Sequence, residues 1–224
     1  MGVQIEDVDE SKLEELQGKV ITDVAGAQGL LMAYLGDQLD LYSALAEITP
    51  ATSQELAEST GIKERYLREW LSANTAGGYI EYDPSSQKFS MTPEQAIVFA
   101  AEGNAHCMQG FFQAVVSGYA DVPKAIEAIR VGEGLPWGDH SECLFCGTER
   151  FFRPMYAANL INSWIPALEG VKEKLESGAK VADVGCGHGS STIIMAQAFP
   201  NSTFHGFDFH GPSIEHAREH ARAA

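Results

Sequence analysis

The segment that most constrains the fold is 180–192, where an apolar stretch leads into a glycine-rich turn. Residues 180–184 predict a short strand, and residues 192–199 predict a helix. Between them, glycine stands at positions 185, 187 and 189, and glycine lets a ligand approach the backbone closely. The first amides of the helix have no partner within the helix. The segment therefore predicts a strand, a tight turn and a helix around a ligand site.

A second predicted strand ends in an acid. Pro200 and Asn201 end the helix, and residues 202–208 read as a strand with Asp208 at its carboxyl end. Asp208 lies 19 residues after Gly189. This spacing is typical of a βαβ nucleotide site, in which the strand-end carboxylate accepts hydrogen bonds from both ribose hydroxyls. We therefore expect a nucleoside ligand.

The acid before the turn distinguishes between nucleosides. Asp183 lies at the mouth of the turn, where its carboxylate would repel a diphosphate and attract an ammonium group. S-adenosylmethionine carries such an ammonium, and its carboxylate suits the start of a helix. Ser190 is small enough to leave a dinucleotide fingerprint open. The predicted cofactor is S-adenosylmethionine, and its predicted site comprises Asp183, Gly185, Gly187, Gly189, Asp208 and, along the adenine, Phe209.

The first part of the chain is predicted to be helical. Apolar residues recur at helical spacing from residue 12 to residue 48, which indicates two or three helices. Gly26, Gly29 and Gly36 interrupt this pattern and mark either breaks or sites of close packing. The apolar faces of these helices are a candidate interface for a homodimer.

Residues 52–91 have the pattern of a winged helix. A capping box at 52–55 begins a short helix, and a second helix is predicted over residues 63–76. Residues 79–82 and 88–91 then alternate like the two strands of a hairpin. Two helices followed by a hairpin predict a winged helix, a fold that often binds DNA.

The charge of this region disfavours DNA as the partner. The whole chain has a formal net charge of −16, and residues 50–92 carry four basic residues against six acids. A helix that enters a DNA groove presents several basic side chains to the phosphates. We therefore predict a winged helix that serves packing and dimer formation, with no nucleic-acid partner. A winged-helix transcriptional regulator with a nucleoside-sensing C-terminal segment stays open as the alternative.

The middle of the chain, residues 103–170, is predicted to form connecting helices around a glycine-rich loop at 131–140. Large apolar side chains then follow at four-residue steps and predict one helix face, either core or pocket wall: Phe152, Tyr156, Leu160, Trp164 and Leu168. Trp137, His140 and Tyr156 are candidates for an acceptor pocket. His140 is also a weak candidate for a general base, with a hydrogen-bonded structural histidine as the alternative.

Neither of two close pairs of potential ligands predicts a metal. Cys143 and Cys146 could supply two of the four ligands of a zinc site, but no second pair of potential ligands lies nearby to complete it. His216 and His220 stand four apart on the last predicted helix, where a solvated face is the simpler interpretation. We predict reduced cysteines and no metal site.

The start of the chain predicts a cytoplasmic protein. Residues 1–10 hold four acids where a signal peptide needs a basic start, and no apolar run approaches the length of a membrane span. We therefore predict no membrane partner.

The two motifs resemble those of a known family. The run Asp-Val-Gly-Cys-Gly-His-Gly at 183–189 and the later Gly-Phe-Asp at 206–208 resemble class I S-adenosylmethionine-dependent methyltransferases. Nearly the whole chain is similar to a bacterial branch of small-molecule O-methyltransferases with an N-terminal winged helix. In that family the winged helix serves dimerisation, the following helices cover the substrate, and the cofactor lies against the glycine turn.

The resemblance implies an α/β protein that carries an N-terminal helical and winged-helix domain and the first part of a Rossmann-like methyltransferase domain. We predict a dimerisation domain over residues 1–100, linking helices and a substrate cover over 101–170, and a cofactor-binding domain over 171–224. The implied activity is methyl transfer to oxygen, nitrogen or carbon of a small molecule. A class I domain has more strands than precede Ala224. We therefore expect a C-terminally truncated chain that is inactive by itself.

Overall fold

A computed structural model describes residues 8–224 of the chain, and residues 1–7 lie outside the described residues. The acidic opening segment, on which the prediction of no signal peptide depends, therefore falls mostly outside them. The described chain is mainly helical, with two separate pairs of short strands. The helical first half and the α/β ending confirm the predicted fold class. The boundaries at residues 100 and 170 stay a prediction.

The first part of the chain forms two helices, which confirms the prediction of two or three. Helix α1 spans Glu10–Gln38, and α2 spans Leu41–Ile48. Of the two alternatives for the glycines, a break is not realised at Gly26 or Gly29, because an isolated glycine costs a helix only about 1 kcal/mol and the flanking residues favour helix. Close packing is confirmed at Gly36, where a Cβ atom would lie 2.5 Å from the Trp70 ring.

The winged helix is confirmed. Helices α3 (Ser53–Thr60) and α4 (Glu64–Ala76) precede the antiparallel strands β1 (Glu81–Asp83) and β2 (Lys88–Ser90). The capping box is present, since the Thr52 hydroxyl accepts from the Glu55 amide and the Glu55 carboxylate accepts from the Thr52 amide. The short helix α5, Pro93–Phe99, follows. The core of this part is built from these helices and β2, and its largest fully buried side chains include Tyr42, Leu45, Leu56, Leu67 and Leu71.

The connecting region contains α6 (Gln109–Ala120), α7 (Val122–Val131) and α8 (Glu142–Asn159), with a short 3-10 turn at Trp137–Asp139 before α8. The prediction of one helical face from residue 152 to residue 168 is wrong. Helix α8 passes at Asn159 into a π-helical turn, Leu160–Trp164, in which the Ile165 amide donates to the Leu160 carbonyl. Leu168 lies beyond the end of this turn, so the five side chains do not share one helix, although the rings of Tyr156 and Trp164 still lie 6.0 Å apart.

Helices α6 and α8 approach each other through glycine. A Cβ atom on Gly110 would lie 2.5 Å from the backbone nitrogen of Phe151, and one on Gly147 would lie 2.6 Å from the backbone nitrogen of Ala114. Both contacts are with backbone, which cannot rotate away as a side chain can. The position of α8, which carries several residues of the site described below, therefore depends on these two glycines.

We expect Gly110→Ala to lower the free energy of unfolding by about 1–3 kcal/mol, because the added methyl group forces the two backbones apart. Gly118→Ala, on the same helix, is the matched control, since a Cβ atom there meets nothing within 4 Å. The control should be neutral or slightly stabilising, by up to about 1 kcal/mol. Urea unfolding of both variants measures the difference, and equal stability would contradict the close approach.

The last part of the chain forms one parallel strand pair with helices. Helix α9 (Val171–Ser177), β3 (Lys180–Val184), α10 (Ser190–Ala198), β4 (Thr203–Phe207) and α11 (Gly211–Ala223) follow in order. Strands β3 and β4 pair in parallel, with Asp183 opposite Gly206. A second small core, formed by Ile165, Leu175 and Phe199, lies against this unit. Parallel sheets are ordinarily covered on both faces, but here Val184 is 82% exposed.

Candidate functional site

The glycine turn connects β3 to α10 and has the backbone geometry that only glycine adopts readily. The φ angles of Gly185, Gly187 and Gly189 are 78°, 54° and 81°. A Cβ atom on Gly187 would point into open space, whereas one on Gly189 would lie 3.1 Å from the Cβ of Ala217 on α11. The turn is therefore open to a ligand at Gly187 and closely packed at Gly189.

Asp208, directly after β4, is hydrogen-bonded to the turn. Its Oδ2 accepts from the Gly187 amide at 2.9 Å, and its Oδ1 accepts from the His210 amide at 2.9 Å. A carboxylate has about four acceptor positions, and the protein occupies two of them here. Asp208 also lines the cavity described below. The carboxylate can therefore accept further hydrogen bonds, as the predicted ribose contact requires.

Asp183, at the end of β3, is directed at the start of α10. Its Oδ2 accepts from the hydroxyl of Ser191 at 2.8 Å and from the hydroxyl of Thr192 at 2.6 Å. The carboxylate is therefore held in place at a helix N-terminus, where negative charge is favourable. Its position in the cavity lining agrees with the predicted role at the mouth of the turn, and that role stays a prediction.

A cavity of about 790 Å³ lies over the turn. The glycine turn and the ends of β3 and β4 line it together with aromatic side chains. The aromatic residues of the lining are Trp137, Phe145, Phe152, Tyr156, Phe207 and Phe209. Three carboxylates also line it, those of Glu149, Asp183 and Asp208. The arrangement combines stacking surfaces for planar groups with acceptors for polar hydrogens.

The structure brings most of the predicted site residues together. Trp137 and Tyr156 line the cavity, and so does Phe209, whose side chain is largely exposed. His140 does not belong to the lining. Its Nδ1 lies 3.0 Å from Oδ2 of the buried Asp121, which also accepts from the Ser141 amide, so the interpretation as a hydrogen-bonded loop histidine agrees with its contacts. The predicted roles of these residues stay untested.

The sequence did not single out Glu149 or His188, which the structure places at the centre of the turn's contacts. His188 Nδ1 lies 2.8 Å from Glu149 Oε2, and the Ser190 hydroxyl donates to Glu149 Oε1 at 2.9 Å. Burial raises the pKa of Glu149, but the hydrogen bonds from His188 and Ser190 outweigh this effect, so the pKa lies below its usual value. Glu149 therefore stays ionised at neutral pH. Its 39-residue separation from His188 explains why no local pattern indicated the pair.

The histidines of α11 are not simply a solvated face. His220 Nδ1 lies 3.2 Å from the carbonyl oxygen of His188, and the rings of His216 and His188 have centroids 4.8 Å apart. Among residues 8–224, no group of three or more His, Cys, Asp or Glu side chains is arranged to hold a metal ion. The four cysteines, which include Cys143 and Cys146, are free thiols.

The basic residues of the winged helix are largely paired with acids. Arg65 pairs with Glu69 on α4, and Lys88 lies 3.4 Å from Glu55. Arg68 on α4 similarly lies 3.5 Å from Glu64. Side chains engaged in this way are not directed as a group towards a phosphate backbone, so a regulator that binds DNA is not favoured. None of the helices in the described part of the chain is long and apolar enough to cross a membrane.

Comparisons with known proteins agree with this architecture. Residues 26–101 match a family described as the Rv2258c-like winged HTH domain, and residues 175–224 match a methyltransferase domain family. A search of curated proteins found no match.

Solved structures share the fold at low sequence identity. The mitomycin 7-O-methyltransferase MmcR is 16% identical with a TM-score of 0.66, and the match covers 96% of this chain and 64% of that one. An O-methyltransferase family protein from Burkholderia thailandensis is 15% identical with a TM-score of 0.63, covering 97% and 61%. PigF, solved with SAH, is 13% identical with a TM-score of 0.65, covering 92% and 62%.

The chain thus spans less than two thirds of the length of these three neighbours. The two family matches lie in the same order as the winged helix and the glycine turn of the structure. Together with the shared fold, they show a winged HTH domain followed by a methyltransferase domain, in the fold of these O-methyltransferase structures.

Proposed function

We propose that the chain binds S-adenosylmethionine and belongs to an enzyme that transfers the methyl group to a small molecule. The observation that carries the proposal is the convergence of Asp183, Asp208 and the turn glycines 185 and 187 on one cavity, while Gly189 lies outside its lining. The similarity to O-methyltransferase structures, one of them solved with SAH, supports it.

Each part of the cofactor has a matching group in the cavity. Asp208 would accept hydrogen bonds from the ribose hydroxyls, and the aromatic ring of Phe209 offers a surface for adenine. The ammonium group would lie near Asp183, and the methionine carboxylate near the first amides of α10. The open space at Gly187 lets the ligand contact the backbone of the turn. Gly185 and Gly189 give the turn its shape.

The rest of the cavity is suited to hold an acceptor. The aromatic wall of Trp137, Phe145, Phe152 and Tyr156 would pack on a largely apolar molecule and exclude water from it. In methyl transfer the acceptor atom attacks the sulfonium methyl in line, a bond forms to carbon, and the carbon–sulfur bond breaks. The protein then contributes mainly alignment and a dry surrounding. We assign no general base, since His140 lies outside the cavity lining and is engaged by Asp121.

Calorimetric titration tests the proposal directly. We expect S-adenosylhomocysteine and S-adenosylmethionine to bind to the chain, and NAD to bind much more weakly. NAD shares the adenosine but carries a diphosphate, which Asp183 would repel. Preference for NAD, or the lack of binding by both S-adenosyl compounds, would contradict the proposed cofactor.

We also propose that the chain forms a homodimer through α1. Its exposed apolar side chains recur at helical spacing and include Leu13, Leu16, Val20, Val24 and Leu31. A continuous apolar stripe on a long exposed helix is suited to pack against a second copy of itself. Residues 1–50 hold two basic residues against ten acids, so added salt should tighten the association modestly.

A charge placed in this stripe should dissociate the dimer. We expect Val20→Glu to shift the light-scattering mass from dimer towards monomer at micromolar concentration, because the new carboxylate would be buried without a partner. Thr22→Glu adds the same charge, but two residues further on it lies on the other side of the helix, and it should stay dimeric. A monomeric unmodified chain would refute the interface.

A further inference from the structure

The carboxylate of Glu149 connects α8 to three parts of the cofactor site. Its two oxygens accept from His188 in the glycine turn and from Ser190 at the start of α10. Oε1 also lies 3.6 Å from Nδ1 of His220 on α11. The side chain of His188 is 6% exposed and that of Glu149 is 19% exposed. These contacts are therefore largely shielded from water, where hydrogen bonds to an ionised group are strong.

Helix α8 is itself held firmly on its other side. The next residue, Arg150, makes two hydrogen bonds to Asp37 of α1, at 2.7 and 2.8 Å, and also pairs with Glu102. Gly147 of the same helix packs against the backbone of α6. Glu149 is thus fixed to a helix that the N-terminal half of the chain holds in place.

The glycine turn needs such a constraint. Three glycines with positive φ lie within five residues, and glycine adopts many backbone conformations at little energetic difference. A free turn would therefore sample several arrangements. A ligand that binds only one of them would bind more weakly, because part of its binding free energy would be used to order the turn. A fixed hydrogen-bond partner on α8 removes these alternatives before the ligand arrives.

We propose that Glu149 is a positioning residue, which holds His188 and Ser190 so that the backbone of the turn is ready to bind the cofactor. The identity of the ligand in this inference rests on the proposed function. The ordering of the turn by Glu149 does not, because it is measurable in the ligand-free chain.

The test compares Glu149→Gln with Glu142→Gln, an exposed glutamate on the same helix, by hydrogen exchange of the ligand-free chain. Loss of a hydrogen bond to a charged group predicts about tenfold faster exchange in peptides covering residues 185–193 of Glu149→Gln. The exchange rates of peptides covering residues 41–90 should be unchanged, which would show that the variant is folded. Ser190→Ala, which removes one of the two bonds, should give a smaller increase in the same peptides. Equal exchange in Glu149→Gln and Glu142→Gln would overturn the proposal.

Calorimetry with S-adenosylhomocysteine supplies the second measurement. We expect Glu149→Gln to weaken binding about tenfold. Glu142→Gln should bind as tightly as the unmodified chain. Weaker binding without faster exchange would overturn the positioning role in favour of direct contact with the ligand. If the unmodified chain binds no S-adenosylhomocysteine, the proposed function fails, while the exchange experiment still decides what Glu149 does to the turn.

Discussion

Replacement of Arg150 by methionine is expected to lower the free energy of unfolding by about 3–5 kcal/mol, the range for breaking a buried ion pair by removing one partner. The side chain of Asp37 is only 1% exposed and depends on the two hydrogen bonds from Arg150. Methionine fills much of the same space but leaves that carboxylate buried without a counter-charge. The cost arises from the remaining charge rather than from the lost attraction.

Urea unfolding followed by circular dichroism measures this effect. Arg153→Met, on the same helix but exposed, is the matched control and should change stability by less than about 0.5 kcal/mol. A double variant, Asp37→Leu with Arg150→Met, should recover most of the loss, because an apolar pair of similar volume needs no counter-charge. If Arg150→Met were as stable as its control, the network would not hold α8 to α1.

The second large effect concerns the turn. We expect Gly187→Val to weaken S-adenosylhomocysteine binding by more than about tenfold. A branched residue does not readily adopt the φ of 54°, and its side chain would occupy the open space left for the ligand. Asp208→Ala should weaken binding by about 1.5–3 kcal/mol, which corresponds to at least about tenfold. It removes both the predicted ribose contact and the bond to the Gly187 amide.

Calorimetry on these variants needs a control for backbone strain alone. Gly61→Val is suitable, since Gly61 has a φ of 72° at the end of α3 and lies far along the chain from the turn. It should lose stability but keep its affinity for the ligand. If Gly187→Val and Asp208→Ala both bound as tightly as the unmodified chain, the proposed cofactor site would be refuted.

Some features of the fold could be predicted from local sequence alone. The capping box at 52–55 and the glycine turn at 185–189 act within a few residues, so their backbone geometry is determined where they stand. The strand pair with Asp208 after its second member follows from the same short-range signals. For this reason the winged helix, the α/β ending and the glycine turn itself could be predicted from the sequence.

The predictions that failed depend on competition between local preference and packing. Gly26 and Gly29 do not interrupt α1, because the penalty for one glycine is small beside the helical preference of its neighbours. The aromatic pattern from residue 152 onward suggested a single helix. Helix α8 instead ends at Asn159 and a π-helical turn, Leu160–Trp164, follows; the four-residue spacing in the sequence gives no sign of it.

The sequence by itself determined the type of most local elements and the residues that form the turn, because those depend on neighbours along the chain. Only the tertiary structure decided how the turn is held. Glu149 meets His188 across 39 residues, and Arg150 meets Asp37 across 113. Such pairs carry no periodicity or spacing, since they form only when α8 has packed against α6 and α1. The physical reason is that a charge needs a partner only once the fold has buried it, and which partner lies within reach depends on how the helices pack.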